Sequence, residues 1–341
     1  MSDTTNQRKS EVLEIIRKDP EVDRQGGAFE AIRLRHRALP EMNLSDVDSS
    51  LTFLEKKLAF PLLISSMTGG DHEMLRKINR RLAEAAEATG VAMGVGSQRV
   101  MFTHPASRSG FQLREAAPTA LLFANLGGVQ LNYGFELQQA REAVSVLGAD
   151  GLYFHLNPLQ EAIQPEGNTN FTGLAEKIGL LAEQLPVPVL LKEVGAGFSR
   201  SDAELALSHG LRIFDVAGTG GTSWSRIENH RRRAFQADDL GLTFQDWGLP
   251  TPLALRELAP LRDRATLIAS GGIRSGIDMV KAVILGASLC GLAAPFLEAA
   301  RESTGRVLET IARLKREFQT AQFLLGVRTL DDLRGNESLL L

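Results

Sequence analysis

From about residue 60 onward the chain repeats one rhythm eight times: a short apolar run, a Gly-rich or polar turn, then an amphipathic helical stretch. The runs occupy 61–67, 91–96, 120–126, 151–156, 187–192, 211–217, 265–270 and 289–293. They are nearly continuous in hydrophobicity rather than alternating, as parallel strands buried on both faces are. Between the first two, Leu75, Ile78, Leu82 and Ala86 recur at helical spacing and Gly90 supplies a stop. Helical stretches at 174–184 and 202–208 follow other runs in the same way. Eight strand–helix units with no break between them predict an α/β chain closed into a (β/α)8 barrel rather than an open sheet. The 341 residues suit one such barrel with insertions, and 43% hydrophobic content with only 6% aromatic residues predicts a mainly aliphatic core.

Two segments fall outside the rhythm. Residues 1–59 form an N-terminal extension with a helical piece at 10–18 and the basic stretch Arg33-Leu34-Arg35-His36-Arg37. The connection at 224–260 is the longest, and an insertion at that end of a strand sits over the active face of a barrel. Its Arg231-Arg232-Arg233 run is expected to be a solvated helix face.

Charge and cysteine content narrow the partners. A net charge of -3 gives no general attraction to nucleic acid or anionic membrane. The single Cys290 forbids an internal disulfide and suits a reducing cytosol. The polar N-terminus lacks a signal peptide, and no apolar stretch is long enough to span a bilayer, so the expectation is a soluble, cytoplasmic protein.

Barrels carry their chemistry at the C-terminal ends of the strands. There the sequence places Ser65-Ser66-Met67-Thr68-Gly69-Gly70, Gly96-Ser97-Gln98-Arg99, Ala124-Asn125, His155-Leu156-Asn157-Pro158-Leu159-Gln160-Glu161 and Lys192-Glu193-Val194-Gly195. The remaining three ends are Gly218-Thr219-Gly220-Gly221-Thr222-Ser223-Trp224, Ser270-Gly271-Gly272-Ile273-Arg274 and Ala293-Ala294-Pro295. The Gly-Gly pair after the seventh strand and the small residues after the eighth expose backbone N–H groups, the recurrent phosphate site of barrels; the plainer alternative is tight turns. Such a site suits FMN or a phosphorylated substrate. Lys192 is either half of a salt bridge or a cation beside an electron-rich cofactor ring. Glu161 has no companions at metal-ligand spacing, yet one carboxylate suffices for Mg²⁺ bound mainly by a diphosphate and water. Gly195-Ala196-Gly197 lacks the third glycine of a dinucleotide fingerprint, and no P-loop occurs. Cys290, inside the eighth strand, reads as a buried hydrophobe.

Taken in order, these residues resemble the type 2 isopentenyl diphosphate isomerase family, with the run His155-x-Asn157-Pro158-Leu159-Gln160-Glu161 the most specific element. The resemblance implies FMN held by Met67, Thr68, Gly69, Ser97, Asn125, Lys192 and Thr222, with its phosphate on Gly271, Gly272, Ile273, Ala293 and Ala294. It implies a substrate diphosphate gripped by Arg8 and Lys9, with His155, Asn157 and Gln160 lining the pocket, and Mg²⁺ held by Glu161. Arg99 is grouped with the substrate-binding residues, and Gln160 and His155 are the catalytic candidates. It further implies reduced FMN as the working form, NADPH as reductant, and a homo-oligomer, tetramer or octamer. The chain departs from the family pattern at Val12, where a histidine is usual. The alternatives are an FMN-dependent 2-hydroxy acid oxidase or dehydrogenase, whose His-Gly-Gly-Arg pattern is missing after the sixth strand, and a non-catalytic flavin or phosphate sensor.

Overall fold

The structure, a computed structural model, describes residues 4–24, 26, 28–67, 72–232 and 238–341, with the side chains of the N-terminal helix described from Glu11 onward. A hairpin, β1 (Leu51–Phe53) and β2 (Lys56–Leu58), precedes eight parallel strands: β3 (Leu62–Ile64), β4 (Ala92–Gly94), β5 (Leu122–Gly127), β6 (Gly151–Leu156), β7 (Val189–Glu193), β8 (Ile213–Asp215), β9 (Thr266–Ser270) and β10 (Leu289–Leu292). They close into a barrel in sequence order, with β10 pairing β3. Each strand coincides with one of the eight apolar runs, β5 and β7 extending one residue beyond theirs, so the barrel expected from the sequence is the fold observed.

Continuous hydrophobicity is explained by two cores that share each strand. Successive side chains alternate across a strand. Leu62 and Ile64, Leu122 and Ala124, Leu152 and Phe154, and Leu267 and Ala269 pack outward against the helices. Leu63, Ala92, Phe123, Tyr153, Leu190, Ile268 and Leu289 point into the barrel and pack on one another. The hairpin plugs the N-terminal end of that interior with Phe53 and Leu58, and Phe53 meets Phe123 edge-on at 6.5 Å. Lys56, in β2, anchors it to Asp150 at 2.8 Å.

Two residues further along each strand, the inward position comes round again one layer nearer the C-terminal end. The residues there are Ser65, Gly94, Asn125, His155, Lys192, Asp215, Ser270 and Gly291. The interior thus changes from apolar to polar in a single step, and that polar layer is the floor of the site.

The helix Glu73–Thr89 buries Leu75, Ile78, Leu82 and Ala86 and ends on Gly90 at φ 64°, as its spacing predicts. At the N-terminus a helix, Thr4–Lys18, runs to a short strap that lies on the barrel mouth. Asp23 pairs with Thr222 as an antiparallel bridge, and Ser223 N donates to Val22 O at 2.7 Å. The Arg24 guanidinium donates to the carbonyls of Gly195, Gly221, Gln245 and Thr222 at 2.6–3.3 Å. The strap therefore ties together the loops after β7 and β8. No helix among the described residues is long and apolar enough to cross a membrane.

The arginine run is not the solvated face its composition suggested. Arg231 is 11% exposed and paired with Glu228, Glu166 and Glu11. Arg232 is 16% exposed, paired with Asp238 and bonded to the Ile163 carbonyl. Their helix, Trp224–Arg232, lies on the mouth, where its own Glu228 and carboxylates from other segments hold the guanidinium groups; Arg233 lies outside the described residues.

Candidate active site

One cavity of about 350 Å³ opens at the C-terminal ends of the strands, within the range of small-molecule and cofactor sites. Its wall includes Met67, Ser97, Arg99, Asn125, His155, Asn157, Gln160, Glu161, Lys192, Thr222, Gly271, Gly272, Ile273, Ala293 and Ala294. Fifteen residues singled out from sequence thus meet at one place. Thr68 and Gly69 lie outside the described residues, as do the side chains of Arg8 and Lys9, whose backbone is helical.

On the floor, Lys192 Nζ donates to Asp215 Oδ2 at 2.7 Å and to Ser270 Oγ at 2.9 Å, and Ser270 Oγ donates to Asp215 Oδ1 at 2.5 Å. Lys192 is thus half of a salt bridge with a fully buried carboxylate, and its side chain also borders the cavity. With two of its three donors used, one remains for a group bound above it. Tyr153, beneath, is held protonated by burial and by the Asp215 carboxylate, which both push its pKa up.

On the adjoining strands His155 Nδ1 meets Asn125 Oδ1 at 2.7 Å, and Asn125 Nδ2 donates to Ser66 Oγ at 3.0 Å. The helix Pro158–Ile163 follows β6 and presents a second polar group. Asn157 Nδ2 donates to Gln160 Oε1 and to Glu161 Oε1, both at 3.0 Å. Gln160 Nε2 in turn donates to Glu228 Oε1 at 2.8 Å. Glu161 also accepts from Gln164 Nε2 at 2.9 Å and Asn168 N at 2.6 Å.

Opposite this group, Gly271 and Gly272 take φ of 94° and 76°, so the turn after β9 lies in the region that favours glycine. A Cβ on Gly291 would come within 2.4 Å of Ser65 Oγ, so only glycine leaves this part of the floor open. The Ser65 hydroxyl is buried with no hydrogen-bond partner among the described residues, as is Asn157 Oδ1. Both residues border the cavity, and their buried atoms are the kind a ligand satisfies. Arg274 pairs with Asp23 and donates to Gly220 O at 3.1 Å, closing the strap over this end.

Three features escaped the sequence reading. Val12, Leu13 and Ile16 of the N-terminal helix form an apolar wall of the cavity, and Val12 packs with Val22 and Ile227. Their i, i+4 spacing marks a helix face but not what it covers. Glu228, fully buried and bonded to Gln160, carries no signal beyond an i, i+3 pairing with Arg231 that reads as an ordinary surface pair. Arg24 looks like any other basic residue of the extension.

Comparison with known proteins places this geometry in a class and then in a family. Residues 158–339, more than half of the chain, match the FMN-dependent dehydrogenase family. Two solved structures share the fold: a mutant flavocytochrome b2 with pyruvate bound (TM-score 0.70, 20% identity, 94% of this chain and 79% of that one) and a mutant mandelate oxidase (TM-score 0.62, 19% identity, 90% and 88%). Among sequences, the isopentenyl-diphosphate delta-isomerase of Hydrogenovibrio crunogenus is 54% identical over 341 residues, covering 100% of this chain and 99% of its own. That of Paracoccus zeaxanthinifaciens is 56% identical over 337 residues, covering 98% and 96%. The chain belongs to the isopentenyl-diphosphate delta-isomerase family and is an enzyme.

Proposed function

We propose that the chain interconverts isopentenyl diphosphate and dimethylallyl diphosphate, with reduced FMN in the barrel mouth and Mg²⁺ on the substrate diphosphate. The observation that carries this reading is the Gln160 amide, held between Asn157 and the buried Glu228 on the wall of a cavity that also offers a phosphate turn.

The residues present suit FMN. The turn of Gly271, Gly272 and Ile273 with Ala293 and Ala294 would take its phosphate, and Met67, Thr68, Gly69, Ser97, Asn125, Lys192 and Thr222 would hold the ring and its chain. Reduced flavin, when bound, supplies an acid/base nitrogen and an electron-rich face. Moving the double bond adds one proton to an alkene carbon and removes another from the allylic position, with no net oxidation. Gln160 orients the mobile proton, and Glu228 behind it is a carboxylate able to take or return that proton. His155, held by Asn125, lines the pocket beside it.

Mg²⁺ suits Glu161 in a limited way. The carboxylate already accepts three N–H donors, and no cluster of three or more His, Cys, Asp or Glu that could hold a metal occurs among the described residues. Glu161 would therefore be one donor to an ion held mainly by diphosphate oxygens and water. Arg8, Lys9, Arg99 and Asn157 would grip the diphosphate, which provides remote binding energy for the five-carbon tail. On this reading residues 1–59 bring substrate contacts and residues 60–341 hold the cofactor. NADPH is the reductant and the assembly is a tetramer or octamer, a size light scattering measures.

The test is an anaerobic assay with isopentenyl diphosphate, Mg²⁺, FMN and NADPH or dithionite, following dimethylallyl diphosphate. Product is expected only with reduced flavin. No product from protein with FMN bound and reduced would overturn the assigned reaction, and oxygen consumption with lactate or glycolate would replace it with hydroxy-acid oxidation.

A further inference from the structure

Behind the Gln160–Glu228 pair, one guanidinium gathers three carboxylates from three parts of the chain. Arg231 reaches Glu228 Oε2 at 2.5 Å, Glu166 Oε1 at 2.6 Å and Glu11 Oε2 at 3.4 Å. Glu228 is fully buried, whereas the side chains of Glu166 and Glu11 are 48% and 44% exposed. Glu11 belongs to the N-terminal helix whose Val12, Leu13 and Ile16 wall the cavity. Glu166 follows the helix that carries Gln160 and Glu161.

The two oxygens of Glu228 are thus divided: Oε2 goes to Arg231 and Oε1 to Gln160 Nε2. A carboxylate with one oxygen fixed by a charge-assisted bond cannot rotate freely about its terminal torsion, so the other oxygen is presented to the amide in one orientation. Resting on the reading of Gln160 and Glu228 given above, we infer that Arg231 is a positioning residue for proton movement. It fixes Glu228 against Gln160 and uses its remaining donors to draw the N-terminal helix and the segment after Ile163 to the same point. A lysine, with a compact charge and no planar fork, cannot serve three carboxylates in this geometry.

The experiment is a double-mutant cycle on the holoenzyme with FMN, Mg²⁺ and reductant, recording kcat, KM and FMN affinity with thermal midpoints as a check of folding. Glu228→Gln alone tests the underlying reading. Arg231→Met is expected to lower kcat by roughly 10- to 100-fold while KM and FMN affinity stay within about threefold. In the Glu228→Gln background the same substitution is expected to cost no more than about twofold, because the group it positions is gone. Arg231→Lys keeps a cation beside the buried carboxylate and so protects the fold. Its expected loss of about fivefold also disappears in the Glu228→Gln background. Equal losses in both backgrounds would overturn the positioning role and leave a general support of the fold. Full turnover by Glu228→Gln on its own would instead bring down the Gln160–Glu228 reading, and this inference with it.

Discussion

Lys192 and Glu193 are sequence neighbours on β7, and their chemistry diverges because successive side chains take opposite faces. Lys192 reaches the barrel floor, where Asp215 and Ser270 hold it. Glu193 turns to the loop beyond, where its Oε2 accepts from the backbone N–H groups of Val194, Gly195 and Ala196 at 2.5–2.6 Å. Burial nevertheless dominates and raises its pKa from 4.5 to about 7, against those three donors and Lys192. The folded state then binds this proton more tightly than the unfolded chain does. The contribution of Glu193 to stability is full below about pH 4.5 and falls as pH rises through about 7. Thermal midpoints of the parent should decline across that window, and Glu193→Gln should remove this component of the decline; identical pH profiles would refute the assignment. Gln160 makes a different prediction. Gln160→Ala should cut turnover by roughly 100-fold or more, as loss of a proton-handling group does, with FMN affinity nearly constant. Unchanged turnover would remove Gln160 from the mechanism.

Among the elements, the N-terminal helix and strap depend most visibly on a few specific tertiary contacts. The helix is 15 residues long, and a helix of that length is marginal alone in water. Its docking depends on Val12, Val22 and Ile227 and on Asp19, which accepts from Arg226 Nε at 2.5 Å and pairs with His230 Nε2 at 2.7 Å. The Arg226 hydrogen bond is the main cause that lowers the Asp19 pKa from 3.8 to about 2. A depressed carboxylate stabilises the fold above its ordinary pKa, and the contribution is lost as pH falls from about 4 through about 2. Asp19→Asn should therefore lower the thermal midpoint at pH 6, with the gap to the parent closing as pH approaches 2. A gap that persists there would show that the carboxylate charge is not what holds the strap.

For the molecule as a whole, the two ends of the barrel differ in build, one plugged by apolar side chains and the other opening on a polar cavity. They are expected to divide stability from chemistry. Phe53→Ala should cost about 3–5 kcal/mol of stability, because a large aromatic leaves the interior plug. FMN affinity should not change, and an equal loss of both would contradict the separation. This division was partly legible in the chain. Alternation of apolar runs with helical stretches determined the eight strands, their order and the barrel, because the period of a strand or helix is written in residues two to four apart. The polar residues at the strand ends located the mouth for the same reason, down to His155, Asn157, Gln160, Glu161 and Lys192. What only the tertiary structure decided is which distant groups meet there. Glu228 reaches Gln160 across 68 positions and Asp23 reaches Arg274 across 251, and no local pattern marks either partner. The arginine run was misjudged partly on the same account: beside the nearby Glu228 and Asp238, Arg231 meets Glu166 and Glu11 from 65 and 220 positions away. Local propensity sets which residues face inward, but burial of a charge depends on what closure of the barrel brings against it.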